Sequence, residues 1–328
     1  MRTDKELLKL LVKKTENFRD DVSVFKIRNQ NAAELHKESL RLALPFTSVD
    51  HSRELRYHSQ QNGTHTALNL QDDAMLHYYH ASGYKHFRKN TNPASNVVSD
   101  DATKVRIEEF EKNAGSLLEK SRFGVYAQNE DIRFEKLWQL KSAGMAPDGA
   151  KSPTVINRLV YAYRRFVDEL PVWGSASVFI KTAGNYEVDA FGMDWRNIHD
   201  APLTRARILS PEDAAVRALE ELQNTNPEKV FTPNDFAVDS FALGYFSHVK
   251  TVYQTIMQPV YVAKFISRGF SKMGHVIVVP AAGTAYESIS RLVTPPPFNL
   301  PRARSNYKKN GAYSSKLVEV ERKIVELQ

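Results

Sequence analysis

Cysteine is absent from the chain. Disulfide scaffolds, thiol nucleophiles and cysteine-ligated zinc or iron–sulfur centres are therefore excluded. No apolar run approaches the roughly 20 residues that a membrane-spanning helix needs. The opening segment MRTDKELLKLLVKKTENF is interrupted by Lys5, Glu6 and Lys9, which makes it a poor signal-peptide core, so a cytoplasmic protein without a membrane span is expected. Phosphate-cradling glycine loops, a GxSxG nucleophile elbow and an HExxH helix are also missing. With 14 glycines and 15 prolines in 328 residues, collagen-like and globally disordered readings fail as well.

What remains is a chain of 42% hydrophobic content, long enough for two or three packed units. Its net charge is +7. The basic residues are spread along the chain. The densest groups, Lys85-His86-Phe87-Arg88-Lys89 and residues 302–309, sit beside loop-like sequence, so an anion-binding role is a minor reading and a nucleic-acid partner is not expected.

Hydrophobic periodicity alternates between helix and strand. Residues 4–18 read as a helix capped by Thr3, with Leu7, Leu8, Leu10, Leu11 and Phe18 on its apolar side, and Ala32–Leu44 as a second helix stopped by Pro45. Three short strands follow, Leu55–His58, Thr64–Leu70 and Met75–His80, around turns at Gln61-Asn62-Gly63 and Gln71-Asp72-Asp73. Residues 90–101 read as a linker, Ala102–Leu118 as a helix and Ile132–Leu140 as a strand. The strongest β signal covers 154–196, where Leu159, Tyr161, Tyr163, Arg165 and Val167 share one face of an extended segment. Pro171-Val172-Trp173-Gly174 is expected to break that segment before a hairpin through Ala183-Gly184-Asn185. Ser210-Pro211-Glu212-Asp213 opens a helix with Val216, Leu219 and Leu222 on its buried stripe, and strands follow at 236–246, 252–266 and 275–279. The tail carries Thr294-Pro295-Pro296-Pro297 and an amphipathic helix over 314–328.

The predicted fold class is α+β, built from repeated units of a helix packed on a curved antiparallel sheet. The expected divisions are 1–90, 100–200 and 205–293, with 294–328 as a Pro-rich basic linker and terminal helix.

The run Val167-Asp168-Glu169-Leu170-Pro171-Val172-Trp173-Gly174, followed by alternating strands, resembles PepSY-like modules and the cystatin-like propeptide domains of bacterial metalloproteases. Those carry a V-D-G-L-P-V-aromatic-G turn, and Glu169 departs from the usual glycine. The resemblance centres on residues 100–285. It implies a largely non-catalytic module that binds, inhibits or chaperones a partner.

Several constellations could carry chemistry. His51, His58, His65, His77, His80 and His86 crowd one stretch, and His58, His65 and His77 are the candidates for a metal or acid–base site on paired strands. The alternative is a polar outer sheet face, and no metal or other cofactor is assigned. Asp168 and Glu169, with Arg165 nearby, are the candidate catalytic groups, although strand neighbours point to opposite faces. Asp189 and Asp194 could pair with Arg164 or Arg165. Tyr161, Tyr163, Trp173, Phe179 and Trp195 could line a ligand-binding surface or simply pack across strands. The leading expectation is a non-catalytic binding or accessory protein offering a sheet face or edge to a peptide or protein segment. The rival is an enzyme of peptide modification or small-molecule biosynthesis with an aromatic-lined pocket between sheets.

Overall fold

The computed structural model describes residues 4–28, 30–43, 54–59, 63–70, 74–89, 98–99, 130–144, 149–151, 155–182, 188–225, 231–268 and 274–289. The expected helices at 102–118 and 314–328, the proline-rich tail, and the turns at 71–73 and 183–185 lie outside these residues.

Three helices are described: α1 (Lys5–Lys13), α2 (Ala32–Ala43) and α3 (Pro211–Asn224). The strands are β1 (Thr15–Glu16), β2 (Asp21–Lys26), β3 (Glu54–Ser59), β4 (Gly63–Asn69), β5 (Met75–Tyr79), β6 (Tyr84–Arg88), β7 (Val98–Ser99), β8 (Glu130–Ser142), β9 (Val155–Val167), β10 (Leu170–Gly174), β11 (Ser177–Thr182), β12 (Val188–Met193), β13 (Thr204–Arg207), β14 (Phe236–Ser247), β15 (Ile256–Met257), β16 (Pro259–Ser267) and β17 (Gly274–Pro280).

Helix α1 is shorter than its periodicity suggests. Asp4, not Thr3, caps it, its carboxylate accepting from the Glu6 and Leu7 N–H groups. Helix α3 starts as expected, with the Ser210 hydroxyl accepting from Asp213 N–H and Pro211 in the first turn. Its buried stripe is largely alanine: Ala214, Ala215 and Ala218 join Leu219 and Leu222, while Val216 is half-buried. Small side chains let the helix lie close to β17.

Fourteen strands form one sheet, in the order β17-β16-β14-β10-β9-β11-β12-β6-β5-β4-β3, with β8 and β7 on β9 and β1 on β14. The pairing is antiparallel except where β1 and β10 lie parallel to β14. A small second sheet runs β13-β2-β15. Strands from all three predicted stretches thus hydrogen-bond into one sheet: β12 pairs with β6 and β10 with β14.

Two large apolar clusters sit on the sheet. Around α2 are Leu35 and Leu42 with Leu68, Leu76, Phe87, Tyr161, Tyr163, Phe191 and Trp195. Around α1 and α3 are Leu7, Leu11 and Leu222 with Phe241, Leu243, Tyr245, Tyr261 and Phe265. Leu159, Tyr161, Tyr163, Arg165 and Val167 are all buried, as the alternation on β9 predicts.

Two stretches differ from expectation. Pro171–Gly174 continues the sheet as β10 instead of ending it, because Val172, Trp173 and Gly174 find parallel partners in Tyr245, Phe246 and Ser247. Sequence periodicity has no access to such a distant partner. The basic run Lys85–Lys89 is largely strand β6, and Lys85 is buried with its ammonium 3.4 Å from Glu38. A strand that alternates faces cannot gather its charges into one anion-binding patch.

Candidate functional site

Two places concentrate polar and aromatic side chains outside the apolar clusters: the edge strand β8 and the sheet face that carries the half-buried histidines.

Strand β8 pairs with β9 from Glu130 to Ser142, with Glu135 left out of the register between Phe134 and Lys136 and a second shift at Leu140/Lys141. Among the described residues no strand covers its other edge. Its acidic groups are engaged at home: Glu130 with Arg165, Asp131 with Arg133, and Glu135 with Arg164. Arg133 also reaches Glu169 and lies 4.1 Å over the Phe166 ring, while Lys136 lies 4.4 Å over Trp138. Phe134 and Leu140 are exposed, at 41% and 43%.

The candidate catalytic residues are not brought together. Arg165 is wholly buried, stacked 4.3 Å over Trp195 and donating to the Arg196 carbonyl oxygen at 2.8 Å. Glu169 points outward to Arg133. Asp168 and Glu169 both have positive φ, at 47° and 66°, so they are the two central residues of the β9–β10 hairpin turn. The suggested pairing of Asp189 is corrected, since it pairs with Arg158, while Arg164 and Arg165 take β8 carboxylates; Asp194 feels the charge of Arg196 first and of Arg165 more weakly. Packing against β8 was invisible in the sequence because its glutamates carry no positional signature.

Asp194 has only 7% exposure, and burial pushes its carboxyl up to about 7 against the opposing charge of Arg196. A buried acid beside an arginine is the arrangement an enzyme reading calls for. The Arg196 guanidinium, however, is spent on structure. It donates to Ser247 Oγ at 2.7 Å and to the carbonyl oxygens of His248, Val249 and Val252 at 2.7, 3.0 and 2.8 Å. Gln254 closes the same loop through the Phe246 and Ile256 carbonyls. The cluster is a clamp on residues 247–256.

The candidate ligand-binding aromatics are divided by the sheet. Tyr161, Tyr163 and Trp195 lie in the core under α2. Trp173 and Phe179 are half-buried outside that core. Arg164 and Lys264 lie 4.5 and 4.6 Å over Trp173, and burial together with Arg164 pushes the Lys264 ammonium below its usual range.

The face opposite α2 holds the histidines. The register pairs His65 with Tyr79, Ala67 with His77, and His77 with His86. Their rings form a row: His65 against Tyr79 at 4.3 Å, His65 against His77 at 5.3 Å, His77 against His86 at 6.3 Å, and His86 against Phe179 at 5.8 Å. His65 Nε2 is 3.2 Å from His77 Nδ1. His58 lies on β3 opposite Thr64, one register step from the His65 pair. The Lys250 ammonium, delivered by the clamped loop, sits 4.4 Å over Tyr84 and 4.9 Å over Tyr79. Burial, then the neighbouring His77 and Lys250, pushes His86 down to about 4; burial and His65 do the same for His77. The imidazoles are therefore neutral at pH 7. Sequence reading found the histidines, and Phe179 as a ligand-binding aromatic, but not Lys250 or Tyr84, which arrive from a loop and another strand.

Comparison with known proteins is sparse. No family model and no curated protein matches the chain. Among solved structures, an uncharacterized protein from Eubacterium rectale is similar at 11% identity, TM-score 0.45, covering 84% of this chain and 89% of that one. The C-terminal domain of YpeB from Bacillus megaterium is similar at 10% identity, TM-score 0.33, covering 78% and 95%. At such scores neither likeness carries an argument. No described helix is long and apolar enough to cross a membrane.

Proposed function

We propose that this chain is a non-catalytic binding protein that takes an extended peptide or protein segment as an added strand along β8. In this reading the three sequence stretches act as PepSY-like helix-and-sheet units joined edge to edge. The observation that carries the proposal is the edge from Glu130 to Ser142, anchored to β9 and uncovered among the described residues. Main-chain hydrogen bonds from such an edge supply affinity without regard to side chain, and flanking side chains supply choice. Phe134 and Leu140 offer apolar contact, and Lys136 with Trp138 offers a cation beside a ring.

The edge also carries protection against indiscriminate pairing. Charged side chains recur along it, and two register shifts interrupt its regular ladder. Five residues between the shifts, Lys136–Leu140, remain in uninterrupted register with β9.

The test is selection of unstructured peptides against the full chain, followed by amide hydrogen exchange with the selected peptide bound. Added protection on alternate β8 amides is expected, with Leu137→Pro abolishing binding while Ile277→Val, a remote core change, leaves it intact. Protection confined to any other strand would overturn the reading.

A further inference from the structure

The histidine row stands apart from the β8 edge and carries a separate reading. We infer that His65 and His77 form an open, two-imidazole site for a divalent ion of the nickel, copper and zinc group.

The backbone register makes this possible. His65 faces Tyr79 across the β4–β5 ladder, and His77 faces Ala67, so the two histidines are diagonal neighbours on one face. Their nearest nitrogens, Nε2 and Nδ1, are 3.2 Å apart. Two imidazole nitrogens each about 2.05 Å from one tetrahedral ion would stand about 3.3 Å apart. The pair, joined by a hydrogen bond, therefore has the spacing of a chelate once the shared proton moves to the donor ring's other nitrogen.

The rings are also held in place. The His65 ring is within 10° of parallel to Tyr79 at 4.3 Å, and its plane is within 20° of that of His77. His86 flanks His77 on the far side, 6.3 Å away. A ligand pair fixed by its neighbours loses little rotamer freedom when an ion arrives.

Imidazole nitrogen without thiolate selects nickel, copper and zinc over calcium or magnesium, which require oxygen. Among the described residues no group of three or more His, Asp or Glu is gathered tightly enough to hold an ion. In this assignment two protein ligands hold the ion, and the remaining coordination positions go to water or to an incoming donor, as in catalytic and exchangeable sites.

Charge in the surroundings sets a distinctive signature. Lys250 bears on both histidines electrostatically, and Arg88 on His77. Both oppose a dication. Removal of Lys250 is therefore expected to tighten metal binding, the reverse of what loss of a structural contact would do.

The full chain, stripped with chelator and titrated with Zn²⁺ or Cu²⁺ alone by calorimetry, is expected to bind one ion per chain at this pair. His65→Gln and His77→Gln should each weaken that event by at least about tenfold, since losing merely the outer-shell partner of a metal ligand already costs that much. The exposed His199→Gln should leave it unchanged, and Lys250→Met should tighten it several-fold. Thermal melts of the metal-free variants identify those that remain folded, and Lys250→Met tests the site with both ligands intact. Absence of a stoichiometric event, an event that survives both histidine substitutions, or an affinity that Lys250→Met fails to raise would each overturn the assignment.

Discussion

Glu169 occupies a backbone position that suits glycine. At φ 66° in the second central place of a two-residue hairpin turn, a side chain with a Cβ costs about 1 kcal/mol. Asp168, at φ 47°, tolerates the left-handed region better through its short polar side chain. Glu169 gains in return an ion pair with Arg133, but at 70% exposure that pair is screened by solvent and worth little. Glu169→Gly should raise stability by up to about 1 kcal/mol, read as a higher urea midpoint at unchanged slope. The glycine expected there from the PepSY-like turn has this physical basis, and it could be read in the sequence as a departure before any coordinates. Asp194 offers a second residue-scale test. Its carboxyl titrates near 7 when folded, against about 3.9 for an unfolded aspartate. Between those values the folded chain holds a proton that the unfolded chain releases. Stability contributed by this group therefore falls as pH rises from 4 to 7 and levels off above, with a slope of at most about 1.4 kcal/mol per pH unit. Asp194→Asn should flatten that part of a denaturation-midpoint series measured from pH 4 to 8.

At the scale of elements, the seam between β10 and β14 depends on glycine. A Cβ on Gly244 would lie 2.3 Å from the Pro171 carbonyl oxygen and 2.5 Å from Trp173 Nε1. One on Gly174 would lie 2.2 Å from the Ser247 carbonyl oxygen. In each case a backbone oxygen is among the obstacles, so a rotamer change alone cannot relieve the clash. Gly244→Ala should destabilise the chain by about 2 kcal/mol or more, seen as a lowered melting temperature, whereas Gly283→Ala, whose Cβ meets open space, should be close to neutral. The seam also marks where sequence reading stopped. Period-two alternation located β4, β5, β9, β11 and β12, and the Ser-Pro signal located α3, because those cues are local. Parallel pairing of Val172 with Tyr245 leaves no local cue, and Pro171 argued against a strand at all. Strand β2 was missed too; its run DVSVFK is short and takes its partners, β13 and β15, from the far end of the chain.

For the whole molecule, antiparallel strands and the mixing of α and β elements were legible, whereas the expected repetition of a helix on each sheet unit does not emerge among the described residues, where three helices accompany a sheet-rich fold. The joining of separate stretches into one sheet was not, since pattern specifies which face of a strand is buried but not which strand lies beside it. The candidate sites divide the same way. The histidine cluster was visible as composition, while the convergence of His65 and His77 nitrogens depends on a diagonal register, and Lys250 comes from a loop tied down by Arg196. The β8 edge was visible as a strand but not as an edge.

Strand β14 touches the chain's history as well as its shape. It holds β1 and β10 along one side and β16 along the other, and the Tyr245 hydroxyl donates to the Ser23 carbonyl oxygen. During synthesis, residues 15–16 and 172–174 must wait for residues 241–247 to leave the ribosome before they can be paired. Until then the nascent chain displays raw strand margins, and a message cut short before that point would yield a product with its N-terminal half unfastened and prone to clumping.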